Sequence, residues 1–326
     1  MNALIPVLVC GGAGYIGSHM CKMLAANGYH PVTFDNLSTG YRWAVKWGEL
    51  VEGDLRDKHA LQDLFARYQF AAVMHFSARS LVGESVQRPE IYYENNVSGT
   101  LNLLDAMVQN EIRRFVFSST AAIFGNPEAE QIAETHPRRP INPYGRSKLM
   151  VESILGDFHA AYGIDVVSLR YFNAAGADPD AEIGEAHEPE THLIPNVLKS
   201  LLGGSPLTVF GDDYETADGT CVRDYIHIED LCRAHLLALE YLQQESGCSA
   251  FNLGNGNGFS VLEIIRASEV VAERPIDYQI QPRREGDPAR LVADNTLAKE
   301  VLGWEPVHTH IEEIIETAWR WHQHKG

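Results

Sequence analysis

The sequence predicts an α/β protein: a doubly wound parallel sheet with a smaller mixed α/β unit following it. Two observations carry this. Short apolar runs of strand length alternate with helix-length amphipathic segments through the first half of the chain, the pattern of repeated βα units. Between the first run and the first helical pattern lies a Gly-x-x-Gly-x-x-Gly spacing at Gly11, Gly14 and Gly17, at the kind of turn where such sheets bind nucleotides. The alternation holds to about Phe172 and then loosens. Residues 1–172 are therefore expected to form a nucleotide-binding unit and residues 173–326 a second unit, with some later segments returning to the first.

Ile5-Pro6-Val7-Leu8-Val9-Cys10 reads as a buried strand, and the helix after the glycines runs to a plausible cap at Asn27-Gly28. Glycine allows the tight turn, close backbone approach to a pyrophosphate and close helix–strand packing, while the helix N-terminus offers free N–H groups to the anion. A second strand, Pro31–Phe34, ends at Asp35, placed to take the adenosine ribose hydroxyls. A carboxylate there repels a 2′-phosphate, so NAD is expected rather than NADP. A glycine-rich turn without a ligand would not need the strand, helix and acid in register.

Glu49–Leu55 contains the next strand, with Asp54 positioned to meet the adenine. Ala71–Phe76 is the fourth, followed by Ser77 and Ala78. A helix is expected from about Pro89 to Asn110, carrying Asn95 and Asn96. Arg114–Phe117 leads into Ser118-Ser119-Thr120, and Asp165–Arg170 into Tyr171-Phe172-Asn173. Ligands of such sheets bind at the carboxyl ends of the strands, and Phe76, Thr120, Tyr144 and Asn173 all fall at or just beyond them.

Asn142-Pro143-Tyr144-Gly145-Arg146-Ser147-Lys148 opens a run with helical spacing. Tyr144 and Lys148, four apart, emerge from one helix face. A phenol is a weak base at neutral pH, and a neighbouring ammonium favours the phenolate. The pair is suited to moving a proton on and off a substrate hydroxyl, although Tyr-x-x-x-Lys is also a common surface pattern.

Beyond Tyr171, Ala177–Glu190 is acidic and turn-rich and reads as a surface loop. His187 and His192 lie near its acids, but their spacing fits no standard ligand pattern, so no metal is expected. Leu207–Gly211 and Tyr225–Ile228 read as strands; helices are expected near residues 229–244, 261–273, 296–302 and 311–322. Arg223-Asp224 and the run Arg283–Asp287 bring arginines among turn residues, which either clamp a diphosphate or remain solvated.

The 326 residues are 45% hydrophobic and 21% charged, with a formal charge of −18 that disfavours a nucleic-acid partner. No apolar run is long enough to span a membrane, and the opening residues lack a secretory signal. Five cysteines without a Cys-x-x-Cys pair look like reduced thiols, so a cytosolic location is expected.

Together these motifs resemble the extended short-chain dehydrogenase/reductase family, and within it the NAD-dependent sugar-nucleotide epimerases. The matching stretches are Gly-Gly-Ala-Gly-Tyr-Ile-Gly at 11–17, Asp-Asn-Leu at 35–37, Val-Gly-Glu-Ser-Val-Gln at 82–87, Tyr-Tyr-Glu-Asn-Asn-Val at 92–97 and Pro-Tyr-Gly-Arg-Ser-Lys at 143–148. Arg-Tyr-Phe-Asn at 170–173, Val-Arg-Asp-Tyr-Ile-His at 222–227 and Arg-Arg-Glu-Gly-Asp at 283–287 complete the set. The resemblance implies a 4-epimerase that interconverts UDP-glucose and UDP-galactose by transient oxidation at sugar C4. Tightly held NAD is the implied cofactor, and the keto sugar turns over before it is reduced on its other face. Tyr144 would be the base, Lys148 would hold the nicotinamide ribose, and Thr120 would share the sugar hydroxyl.

The cofactor would further meet Gly11, Gly14, Tyr15, Ile16, Gly17, Asp35, Asn36, Asp54, Leu55, Phe76, Ser77, Ala78, Asn95 and Tyr171. The UDP-sugar would meet Thr120, Tyr144, Asn173, His192, Leu193, Phe210, Arg223, Arg284 and Asp287. A homodimer built on the Pro89–Asn110 and Tyr144–Tyr162 helices is implied as well. Ser80 departs from a lysine that some members carry near the cofactor, His192 from an asparagine beside the substrate, and Leu291 from a bulky tyrosine beside the sugar, which leaves N-acetylhexosamine substrates open. A 4-epimerase of UDP-N-acetylhexosamine, UDP-pentose or UDP-uronate is the alternative. Ala121-Ala122 after Thr120 argues against the related dehydratases, which need an Asp-Glu pair there. A non-catalytic NAD-binding regulator is a more distant alternative, because such proteins tend to lose the Tyr/Lys pair.

Overall fold

Seven parallel strands form the central layer of a computed structural model that describes residues 5–284 and 287–324. They are β1 (Ile5–Cys10), β2 (Tyr29–Asp35), β3 (Glu49–Glu52), β4 (Ala72–His75), β5 (Arg114–Thr120), β6 (Asp165–Tyr171) and a late strand, Cys248–Leu253. From one edge the order is Cys248–Leu253, β6, β5, β4, β1, β2, β3. The order reverses between β1 and β4, which pair with each other, and this reversal opens a crevice at their carboxyl ends.

Helices cover both faces, which is why β1 reads as an unbroken apolar run: Val7, Leu8, Val9 and Cys10 are all fully buried. One face packs Met20 and Leu24 of the Tyr15–Ala26 helix and Leu231 and Leu239 of the Ile228–Gln244 helix. The other packs Leu61, Leu104 and Leu155 from the helices Lys58–Arg67, Gly99–Gln109 and Pro143–Tyr162.

Several boundaries differ from those the sequence suggests. β5 runs three residues beyond Phe117 because its register with β6 continues to Thr120 opposite Tyr171. β3 stops at Glu52, since Gly53 lies against the Phe34 ring, 2.3 Å from where a Cβ would stand. The expected Pro89–Asn110 helix is interrupted: Pro89–Tyr92 is α, Tyr93–Ser98 is a π-turn, and α resumes at Gly99–Gln109. Such an inserted turn re-aims side chains, and here it carries Asn95 and the buried Asn96.

The later part of the chain forms small sheets beside the carboxyl ends of the large one. Asn173–Ala175 pairs with Tyr225–His227, Leu207–Phe210 pairs with Tyr278–Gln281, and Val222–Arg223 lies between Phe259–Ser260 and Arg290–Leu291. Ile194, Val197, Ile264, Ile314 and Trp319, from helices Leu193–Leu201, Val261–Ala272 and Ile311–His324, supply its core. Cys248–Leu253 comes from this later stretch, yet completes the first sheet along the outer edge of β6. Among the described residues no helix is long and apolar enough to cross a membrane.

Candidate active site

The glycine turn follows β1 into the crevice. Gly11 has φ +81°, and a Cβ on it would stand 2.7 Å from the Ser77 backbone nitrogen, so the turns after β1 and β4 touch. A Cβ on Gly17 would fall 2.1 Å from the Gly11 carbonyl oxygen. At Gly14 the only near atom is that oxygen, at 3.4 Å. The fold therefore needs glycine at 11 and 17 for its own packing, whereas at 14 it leaves room for something else to approach.

Gly14 caps the Tyr15–Ala26 helix with no side chain on the cap, so the first-turn N–H groups of Tyr15, Ile16 and Gly17 face the crevice. Asp35, at the end of β2, is buried. Its carboxylate accepts the Ala13 N–H at 3.0 Å and the Leu37 N–H at 2.8 Å. Burial raises its pKa and the two N–H groups oppose that rise. Asn36 donates to Asp54 at 2.8 Å, and Asp54 is also held by Arg56. Leu55 is buried beneath Gly99. A backbone cradle, free helix N–H groups and an acid at the next strand end fit a dinucleotide such as NAD.

Across the crevice, Asn142 caps the Pro143–Tyr162 helix by accepting the Gly145 N–H at 2.8 Å, and Pro143 occupies its first turn. This sets Tyr144 at the helix entrance, near the Thr120 hydroxyl, which favours its phenolate form. Lys148, one turn on, is almost fully buried; its ammonium donates to the Ser118 carbonyl at 2.7 Å and lies 4.7 Å from the centre of the Phe117 ring. Burial lowers the Lys148 pKa to about 7, with the Glu152 carboxylate pulling the other way.

Burial raises the Tyr144 phenol and the Thr120 hydroxyl draws it down. The simple expectation of an ammonium lowering the phenol is therefore modified: Lys148 is turned to a carbonyl, and the Thr120 hydroxyl acts instead. Tyr171 shares a hydrogen bond with Ser118 beside this pair. Phe76 stacks at a tilt against His235, 4.8 Å between ring centres. Ser77 and Ala78 are half-buried in the turn that follows.

Arg223 and Asp287 form an ion pair at 2.5 Å, and the Arg284 guanidinium lies 4.1 Å from the centre of the Phe210 ring. Asn173 opens the strand that pairs with Tyr225–His227, its N–H donating to the Asp224 carbonyl at 3.0 Å. Of the arginines flagged in the sequence, Arg223 and Arg284 are thus paired with other members of the predicted set, whereas Arg283 turns to Asp213 and the Tyr214 ring. Glu285 and Gly286 of that motif lie outside the described residues.

Leu193 begins a helix whose cap residue is His192. The His192 side chain turns to Glu185, 2.5 Å away, and to Glu190 at 3.4 Å. Burial works against charge on this imidazole, but the two carboxylates outweigh it and raise its pKa to about 10.

Some residues in this arrangement are not individually legible in the sequence. Asn96, rather than Asn95, ties the site together: its amide donates to the Arg79 carbonyl and to the Ser147 hydroxyl, each at 3.0 Å. Asn95 donates to Asn96 at 3.0 Å. Glu152 accepts from Ser119 at 2.6 Å and forks onto Arg170 at 3.0 and 2.7 Å. Position four residues after Lys148 on the same helix is the one signal that could have marked it.

A model of the NAD dependent epimerase/dehydratase family matches residues 7–254. The chain belongs to this family. Among relatives within it, the UDP-glucose 4-epimerase of Rhizobium meliloti (strain 1021) is 51% identical over 98% of each chain. A crystal structure of UDP-glucose 4-epimerase from Brucella ovis in complex with NAD superposes with a TM-score of 0.94 at 50% identity, covering 97% of this chain and 98% of that one. The enzyme from Bifidobacterium longum in complex with NAD+ and UDP gives a TM-score of 0.93 at 38% identity, over 98% of each chain. The family's dinucleotide crevice and the Tyr144–Thr120 pair lie at the same end of the sheet.

Proposed function

We propose that the chain is an NAD-dependent UDP-glucose 4-epimerase that interconverts UDP-glucose and UDP-galactose. The observation that carries this reading is the Tyr144/Lys148 pair, set by the Asn142 cap and the Ser118 carbonyl near the Thr120 hydroxyl, in a fold that also builds a dinucleotide cradle. It is supported by relatives of that activity at about half identity along nearly the whole chain. NAD, when bound, supplies the two-electron acceptor and donor for sugar C4.

Tyr144 takes the proton of the sugar 4-hydroxyl and later returns it, with Thr120 hydrogen-bonded to both oxygens. Lys148, buried one helical turn away and fixed by the Ser118 carbonyl, would hold the nicotinamide ribose. Arg223 and Arg284 grip the diphosphate, Asn173 lies beside them, and Phe210 and Asp287 meet the uridine. Because these contacts hold the nucleotide end, the keto sugar can turn while still attached. The protein acts in the cytosol as a homodimer in this reading; its five free cysteines suit a reducing compartment.

The test is a coupled assay of purified protein on UDP-galactose with no NAD added, alongside Tyr144→Phe. Wild type should form UDP-glucose, and the variant should lose about 10²–10⁴-fold in kcat, the usual worth of a positioned proton-transfer group. A protein that carries NAD but turns over only another UDP-sugar would overturn the substrate assignment. No NAD and no turnover would overturn the whole reading.

A further inference from the structure

The connection from Gly184 to Leu193 gathers four side chains of mixed donor type, although their sequence spacing gives no ligand pattern. Glu185, His187, Glu190 and His192 each place a ligand atom within 4.8 Å of the others. We propose that they form a binding site for a divalent first-row transition-metal ion, of which Zn²⁺ is the type case.

The donor set is two imidazoles and two carboxylates. Zn²⁺ takes such nitrogen and oxygen ligands in four-coordinate sites, whereas Mg²⁺ and Ca²⁺ prefer oxygen alone. The carboxylates are not a solvated acidic patch. Glu185 is 4% exposed, and the Glu190 side chain is 3% exposed.

Glu190 supplies the independent observation. Its Oε1 accepts the N–H groups of Thr191 at 2.8 Å and His192 at 2.9 Å, which fixes the carboxylate in place. Its Oε2 is buried with no donor. An unpartnered buried carboxylate oxygen is costly, and a cation at the centre of the cluster would satisfy it. Glu185 already draws both imidazoles together, His187 at 2.9 Å and His192 at 2.5 Å on the same oxygen. The Trp321 indole N–H anchors the Glu185 backbone carbonyl at 3.0 Å, and the Tyr15 ring meets His187 edge-on.

Two other gatherings of possible ligands are less suited. Asp178, Asp180 and Glu182 already share the Lys22 ammonium, and His227 is engaged by Thr317 at 2.9 Å. An ion at the chosen site would fasten the segment that starts the Leu193–Leu201 helix to the helix that opens at Tyr15.

The experiment is calorimetric titration of the chelator-treated full-length protein with ZnCl₂, beside Glu190→Gln and the double variant His187→Ala/Glu190→Gln. Wild type should bind one Zn²⁺ per chain at this site, with affinity at least ~100-fold above the double variant. Glu190→Gln alone keeps the side-chain shape and the two backbone contacts, so it reads ligand loss without loss of fold. Co²⁺ should give wild type the visible bands of a tetrahedral site, absent from the variants. Equal Zn²⁺ affinity in wild type and variants would mean adventitious binding to surface histidines and overturn the proposal. So would a wild type that takes no Zn²⁺, its cluster then being a hydrogen-bonded His–Glu network only.

Discussion

Replacing Glu152 by Ala would break a buried ion pair whose partner has few alternatives. Glu152 and Arg170 are each 5% exposed along their side chains, and the guanidinium forks onto the carboxylate through Nε and Nη2. Without the carboxylate, Arg170 keeps the Glu134 carbonyl at 3.4 Å and the Phe124 ring at 5.7 Å, neither of which is a full counter-charge. Removing one partner of a buried pair costs about 3–5 kcal/mol, because the other charge remains desolvated. The carbonyl and ring contacts place this case at about 3 kcal/mol by the same reasoning. Urea unfolding by circular dichroism should show a lower midpoint with an unchanged slope. A Glu152→Leu/Arg170→Met double variant should recover most of the loss, since a well-packed apolar pair removes both charges. The single variant should also impair turnover: Ser119, tied to Glu152, lies between the Ser118 carbonyl that holds Lys148 and the Thr120 that meets Tyr144. A single-variant loss below about 1 kcal/mol would refute the reasoning, since that is the worth of an exposed pair.

Two glycine substitutions should separate folding from cofactor binding. Gly17→Ala drives a methyl into the Gly11 carbonyl, with backbone on both sides of the clash, and should destabilise by about 1–3 kcal/mol or more while abolishing retained NAD. Gly14→Ala has a permitted φ of −82° and open space. It should leave the unfolding midpoint of the NAD-free protein unchanged yet lower the NAD that co-purifies, read from absorbance at 260 nm; full NAD content in that variant would remove the cradle from Gly14. For Lys148, the folded pKa of about 7 lies below the ordinary 10.5. Between those values the unfolded chain holds more protons, so stability should rise with pH from about 7 toward 10 and flatten below 7. Lys148→Met should lack that rise, and a parallel pH profile for the variant would contradict the burial argument.

Legibility in the sequence followed how locally each feature is determined. β1, the glycine turn and Asp35 announce themselves because strand, turn and acid lie within one βα unit. The Tyr144–Lys148 helix does so through Pro143 and i,i+4 spacing. The late sheet strand Cys248–Leu253 goes unread: it is half-exposed at its start, lies on an edge and carries no clean alternation. The π-turn at Tyr93–Ser98 has no compositional signal, so Asn96 cannot be told from Asn95 as the buried amide. The meeting of Glu185, His187, Glu190 and His192 depends on the path of an irregular segment, which spacing does not encode. Arg223 and Asp287 belong to different small strands and loops, and only tertiary packing makes them a pair.

That late strand has a consequence for how the protein is made and altered. β6 leaves the ribosome with one side covered by β5 and the other unsatisfied, and its remaining partner emerges only after most of the second unit has been synthesised. During that interval an open backbone edge is available for mispairing. The same threading forbids modular exchange. A cut after Phe172 removes the strand that seals the nucleotide-binding sheet, so a new substrate preference has to be introduced residue by residue within the existing chain rather than by transplanting a whole unit.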